Sequence, residues 1–413
     1  MTTIAKPVRL PWGLVVILFI AMWISFFDRG NLAVAAQIIK PELGLSDVDL
    51  GMLLSAFFWT YAAGQIGAGW LADRFEVKWL YAAGFLIWSL ATLSTAAMTS
   101  FAGLLAMRLL LGVGECVTYP VTGRILAVVI PENRRGLANS IIDLGARLGP
   151  AFGIMFGAQL VQGTGWRGLF LVTGLAGLIW LIPWLIRAPR ILTTSSGTKN
   201  VGGPGWKDLL TRRDVWGTCG GLCFTNYAWY FLLSWLPTYL LRERHFSLNS
   251  LSLGGALPFL LMAVTSIGGG VLSDRMISRG AAPVRVRRGF LVTGLLLTAL
   301  FLPAVLLPRI EYALAGLSLS CLSLGIYASN LFPLTQTLAG PLATGRWTGI
   351  QNACGNLAGI VSPMLTGWIV QRTGSFSIAF LAAAFACVVG AASFGLLVRD
   401  SDASRSTAPP RVG

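Results

Sequence analysis

Three pairs of ionisable residues interrupt the long apolar runs of this sequence: Asp28 with Arg29, Arg108 with Glu115, and Asp143 with Arg147. Where such runs cross a bilayer, a charge within them is expensive and marks a functional candidate by default. Burial favours the neutral form of a carboxyl, and a neighbouring guanidinium favours its anion. A carboxyl held between those effects is suited to loading a proton on one side and releasing it on the other. Asp28 and Glu115 are assigned that proton-coupling role. Arginines keep their charge and clamp carboxylates bidentately. Arg29 and Arg147 are therefore assigned to a substrate anion. Arg108 serves either as a further substrate ligand or as the group that tunes Asp28. Later runs offer neutral polar groups instead: Asn226, Tyr227, Tyr230, Asn330, Gln336, Asn352 and Asn356.

Each of these has a purely structural alternative. Asp28 with Arg108, and Asp143 with Arg147 at i,i+4, would hold helices together as ion pairs. The asparagines and tyrosines would act as hydrogen bonds between helices.

The elements that must carry these residues follow from composition. The chain has 413 residues, 55% of them hydrophobic and 11% charged. Soluble domains carry roughly 25% charged residues, so this chain cannot cover a water-facing surface of its own. The apolar residues fall in blocks of the length a membrane helix needs. Twelve spans are expected, at about 12–36, 48–72, 79–98, 101–129, 137–162, 168–187, 214–241, 250–273, 289–307, 312–341, 347–371 and 376–398. The fold class is all-α, a polytopic membrane protein of two pseudo-symmetric six-helix bundles. Its domains are an N-terminal bundle (1–189), a Gly-, Ser- and Lys-rich linker (190–213), a C-terminal bundle (214–400) and a tail (401–413).

Depth sharpens the assignment. At about 1.5 Å per residue, Asp28 and Arg108 lie roughly 10–12 Å below the outer surface and could pair. Glu115 lies on the same face as Arg108 and about 10 Å deeper. Tyr61 reaches a similar depth. Arg147 sits about 15 Å from the inner surface. Tyr61, Glu115 and Arg147 thus converge on the mid-membrane layer where a substrate would bind.

The net charge of +15 does not indicate nucleic acid, because the basic residues occupy short gaps between apolar blocks. Arg187, Arg190, Lys199, Lys207, Arg212 and Arg213 flank or fill the central linker. Arg275, Arg279, Arg285, Arg287 and Arg288 follow the eighth span. This bias places both termini in the cytoplasm of a bacterial cell, with the chain multi-pass in its inner membrane. Lys6 and Arg9 precede a first helix read as retained rather than cleaved. The six cysteines lie in apolar segments and His245 in an outer loop. No cofactor or metal is expected. No phosphate loop or nucleophile triad is present, which argues against an enzyme. The expected partners are a small anionic substrate, protons and the lipid bilayer, with the chain a monomer.

Gly69-Trp70-Leu71-Ala72-Asp73-Arg74 ends the second span and Gly270-Val271-Leu272-Ser273-Asp274-Arg275 ends the eighth. The repeat indicates a duplicated six-helix unit. Asp73 and Asp274 are read as helix caps and latches, with Gly69, Arg74 and Arg275 completing the motif. This motif resembles the signature loop of the major facilitator superfamily. Arg108-x-x-x-Gly112-x-Gly114 and Gly145-x-x-x-Gly149-Pro150-x-x-Gly153 resemble two more of its motifs. Within that superfamily, the runs Phe27 to Ala35, Arg108 to Pro120, Trp229 to Leu240 and Gln351 to Gly355 resemble the anion:cation symporter family. The resemblance implies protonation at Asp28 and Glu115 and substrate contact at Arg29, Tyr61 and Asn352. Two departures stand out, namely Cys116-Val117-Thr118-Tyr119 after Glu115, and Arg147 where the family usually has a neutral residue. The reading is a proton-coupled symporter of a small organic anion such as a sugar acid. Exchange of phosphorylated compounds for phosphate is the first alternative, disfavoured by the acidic pair. Drug efflux is the second, disfavoured by the cationic interior.

Overall fold

A computed structural model describes residues 12–129, 132–188, 206–339 and 343–399. Every described element is helical. The helices are α1 (Trp12–Glu42), α2 (Asp47–Arg74), α3 (Val77–Thr95), α4 (Phe101–Glu115), α5 (Thr118–Val129), α6 (Glu132–Arg187) and α7 (Trp206–Leu210). They continue with α8 (Arg213–Arg242), α9 (Leu248–Gly254), α10 (Leu257–Ser278), α11 (Pro283–Phe301), α12 (Ile310–Ala328), α13 (Leu331–Ala339), α14 (Thr344–Thr373) and α15 (Ser377–Ala392). Helix covers each of the twelve expected spans, and the all-α membrane architecture is borne out. Nine helical stretches among the described residues are long and apolar enough to cross a membrane.

Several spans differ in detail from expectation. Span four is two helices, because Cys116 and Val117 form a turn directly after Glu115. Spans eight and ten are likewise divided, as α9 with α10 and α12 with α13. Spans five and six run together as α6, which leaves helical geometry at Gly165 (φ 73°, ψ 174°). A positive φ of that kind suits glycine, which has no Cβ to clash. The end of the linker is not open coil either. Leu209 buries its side chain, and Trp216 donates to the Leu210 carbonyl, fastening α7 to α8. The rest of the linker and the tail lie outside the described residues, as do the surroundings of Gly69 and the side chains of Asp73 and Arg74.

The exteriors of these helices are apolar. Ile186, Leu396, Leu300, Phe385 and Val264 are each 67–74% exposed. A water-soluble surface does not tolerate such a belt, whereas hydrocarbon does.

The chain divides into two compact units, one of residues 1–43 and 59–195, the other of residues 44–58 and 196–413. In the first unit, α1 packs along α6. A Cβ on Gly145 would meet the Phe19 carbonyl at 2.7 Å, and one on Gly149 would meet Phe26 at 2.5 Å. The spacing of four places both glycines on one face, so the two backbones approach closely and α1 is seated one turn before Asp28 and Arg29. A second close crossing joins α3 to α4, where Gly84 and Gly114 face each other. The ring of Phe85 stacks on Trp180 at 4.0 Å, and Tyr81 meets Trp184 edge-on at 4.8 Å. The indoles of Trp180 and Trp184 donate to the carbonyls of Ile17 and Lys78, so both indoles are packed and satisfied.

In the second unit, α8 and α14 are joined by side chains bonding across the crossing. Trp235 donates to the Pro363 carbonyl, Ser362 to the Tyr227 carbonyl, and Trp347 to the Thr218 hydroxyl. Asp47, at the start of α2, accepts two hydrogen bonds from Arg242 at 2.9 and 3.0 Å.

Candidate functional site

The polar centre of the first unit is built on one face of α1. Ser25 and Arg29 are four residues apart, hence stacked on that face. Both reach Glu115 at the end of α4. Arg29 Nε donates to Glu115 Oε2 at 2.9 Å, its Nη2 stands 2.8 Å from the same oxygen, and the Ser25 hydroxyl donates to it at 2.7 Å. The side chains are 4% and 0% exposed. An ion pair removed from water this completely holds only because the charges and added hydrogen bonds compensate desolvation. All these contacts converge on Oε2. Oε1 is buried and accepts no hydrogen bond among the described residues. The Arg29 guanidinium also lies 4.3 Å from the Phe26 ring centre and 4.7 Å from that of Tyr61. The two aromatic faces favour the cation and fix its plane. Tyr61 is itself buried.

Asp28 sits beside this centre in a different setting. Trp88 Nε1 donates to Oδ2 at 2.7 Å, and Asn31 Nδ2 donates to Oδ1 at 3.0 Å. Asn31 in turn reaches the Thr173 hydroxyl at 3.1 Å. These hydrogen bonds to the Asp28 carboxyl thus come from neutral donors. The physical reason is the α3–α4 glycine crossing, which brings the indole of Trp88 to the carboxyl. Arg108 is buried too.

Arg147 pairs with Asp143 at 3.1 Å within α6, and the two side chains are 20% and 37% exposed. The structural alternative considered for this i,i+4 pair is therefore formed. In the last turn of α10, Asp274 is not a cap. Its side chain is exposed and lies 4.0 Å from Arg287. Arg275 beside it is also exposed.

The second unit contributes neutral groups. Asn226 donates to the Gly355 carbonyl at 3.1 Å, and the Tyr230 hydroxyl donates to Asn356 Oδ1 at 3.1 Å. Tyr227 has a buried hydroxyl with no hydrogen-bond partner among the described residues. Asn352 is partly exposed and Gln336 exposed. Gln351 is a tie instead, accepting from Thr335 at 2.7 Å. Sequence reasoning missed Ser25, Asn31, Trp88 and Thr173. The i,i+4 spacing of Ser25 to Arg29 was a usable signal for the first of them.

Long apolar helices with lipid-compatible flanks around a buried ionic centre define a polytopic membrane transporter. The chain belongs to the Major Facilitator Superfamily, whose sequence profile matches residues 18–339. It is 33% identical to a probable sulfoacetate transporter, SauU, of Cupriavidus necator, over 89% of this chain and 89% of that one. It is 28% identical to a probable galactarate/D-glucarate transporter, GudP, of Bacillus subtilis, over 96% and 94%. A solved bacterial homologue of the human lysosomal transporter Spinster shares the fold, with a TM-score of 0.77, 21% identity, and 95% and 97% of the chains covered.

Proposed function

We propose that this chain is a proton-coupled symporter of a small organic anion, a sugar acid or a related carboxylate or sulfonate, working by alternating access. The observation that carries the reading is the buried contact of Arg29 with Glu115 Oε2. A guanidinium held by an internal carboxylate is a guanidinium for which an external carboxylate can compete. Protonation of Glu115 removes the internal competitor's charge and leaves Arg29 to the substrate. Loss of that proton restores the ion pair and expels the anion. Proton and anion are thereby bound together and released together. Tyr61 and Phe26 hold the guanidinium plane during the exchange.

Asp28 is the second proton-coupling group, supported by its burial and its uncharged donors Trp88 and Asn31. Arg108 adds positive potential beside it. Asn226, Tyr227, Asn352 and Asn356 supply hydrogen bonds for the hydroxyls of a sugar acid, and Arg147 a second cation. Relatives described as carriers of sulfoacetate and of galactarate or glucarate agree in anion class. The arginines of the linker and of the segment after α10 support the reading of a bacterial inner-membrane protein with both termini in the cytoplasm.

The test is uptake of labelled glucarate, galactarate and sulfoacetate into proteoliposomes under an inward proton gradient. Accumulation of at least one, abolished by a protonophore, is expected. Equal uptake with and without the gradient overturns the coupling.

A further inference from the structure

A groove of about 660 Å³ lies between α10 and α11, floored by α12, and shares no lining residue with either polar cluster. Leu272, Met276 and Phe290 give it apolar walls, and Gly268 and Gly289 widen it. These glycines differ from Gly294 of α11 and Gly325 of α12. A Cβ on Gly294 would meet the Tyr327 backbone nitrogen at 2.6 Å, and one on Gly325 would meet the Met262 carbonyl at 2.5 Å. Those two are required by helix packing. A Cβ on Gly268 or Gly289 would meet no atom within 4 Å. Glycine weakens a helix relative to alanine, and here no neighbouring helix requires it. What the two glycines do is keep the groove open.

Its dimensions and charge say to what. From Arg285 at one end to Thr293 towards the other is eight helical residues, about 12 Å, close to one leaflet's share of a hydrocarbon core about 30 Å thick. The Arg285 end adjoins the last turn of α10, which carries Arg275, and the turn after it, which carries Arg279, all three exposed. Arg287 and Arg288 of the same segment are engaged by the Thr337 hydroxyl and the Val398 carbonyl. Asp274, beside Arg287, is the acid of this segment. An apolar slot one leaflet deep with a cationic mouth at the membrane surface matches a lipid with a net negative headgroup.

We propose that this groove holds one acyl chain of an anionic glycerophospholipid, with its phosphate at Arg285 and Arg279. The full chain, purified and delipidated in detergent, is titrated with dioleoyl phosphatidylglycerol and with dioleoyl phosphatidylcholine, read by native mass spectrometry and thermal shift. Phosphatidylglycerol is expected to give a one-to-one adduct at concentrations about tenfold below those phosphatidylcholine needs. Gly289→Leu, which fills the slot, abolishes that adduct, and Arg285→Gln weakens it about fivefold. Equal binding of the two lipids overturns the proposal, as does a Gly289→Leu protein that keeps full affinity. If Gly289→Leu does not fold, the two-lipid comparison and Arg285→Gln decide. A thermal shift from inorganic phosphate as large as that from phosphatidylglycerol also overturns it, since the chain would then play no part.

Discussion

The first unit concentrates buried charge, Arg29 with Glu115 and Asp28 beside them, whereas the polar contacts joining α8 to α14 in the second are neutral. Asn226 to the Gly355 carbonyl, Tyr230 to Asn356 and Trp235 to the Pro363 carbonyl do not change charge near neutral pH. Arg29 with Glu115 can, because removing or adding one proton decides whether an ion pair exists. The proposed coupling step is therefore assigned to the first unit, and shape and hydrogen bonds to the second. The contrast also separates energies, since buried ion pairs are costly to break by halves and neutral hydrogen bonds are not.

That contrast is sharpened or broken by substitutions. Arg29→Ala leaves Glu115 buried and uncompensated, and is expected to cost about 3–5 kcal/mol of stability. Adding Glu115→Gln should recover much of the loss in thermal unfolding. If it does not, the two side chains do not act as a pair. Trp88→Phe removes a hydrogen bond to the Asp28 carboxyl, and a loss of about 1.5–3 kcal/mol is expected if that group is ionised. A loss below about 1 kcal/mol would indicate a neutral Asp28. In the other unit, Tyr230→Phe is expected to cost about 1 kcal/mol and to weaken substrate binding without altering the dependence of uptake on the proton gradient. An altered dependence would extend the coupling machinery into the second unit. The smallest stability effect belongs to Arg147→Ala. A partly exposed i,i+4 pair contributes less than about 0.5 kcal/mol, yet substrate affinity should fall. Unchanged affinity would leave Arg147 as a partner of Asp143 only.

Much of this was legible in the sequence, for reasons that differ by residue. The helices follow from apolar block length, which the bilayer dictates directly. The pairing of Asp143 with Arg147 was legible because it is local and set by helix periodicity. The Gly145 and Gly149 motif was visible as a pattern, and the structure supplies its reason in the close passage of α1. Partners across helices were not legible. Depth counting brought Asp28 near Arg108, but depth leaves the rotation of each helix open. Rotation gives Asp28 to Trp88 and Arg29 to Glu115, contacts between residues 60 and 86 positions apart. The break after Glu115 was also hidden, because Cys116 and Val117 are not turn formers.

The central claim is that Glu115 and the substrate share Arg29, and one comparison tests it directly. In proteoliposomes, Glu115→Gln should lose uptake driven by an inward proton gradient while still exchanging external for preloaded substrate, because Gln cannot take or release the proton but leaves Arg29 in place. Full gradient-driven accumulation by the Gln variant would contradict the account.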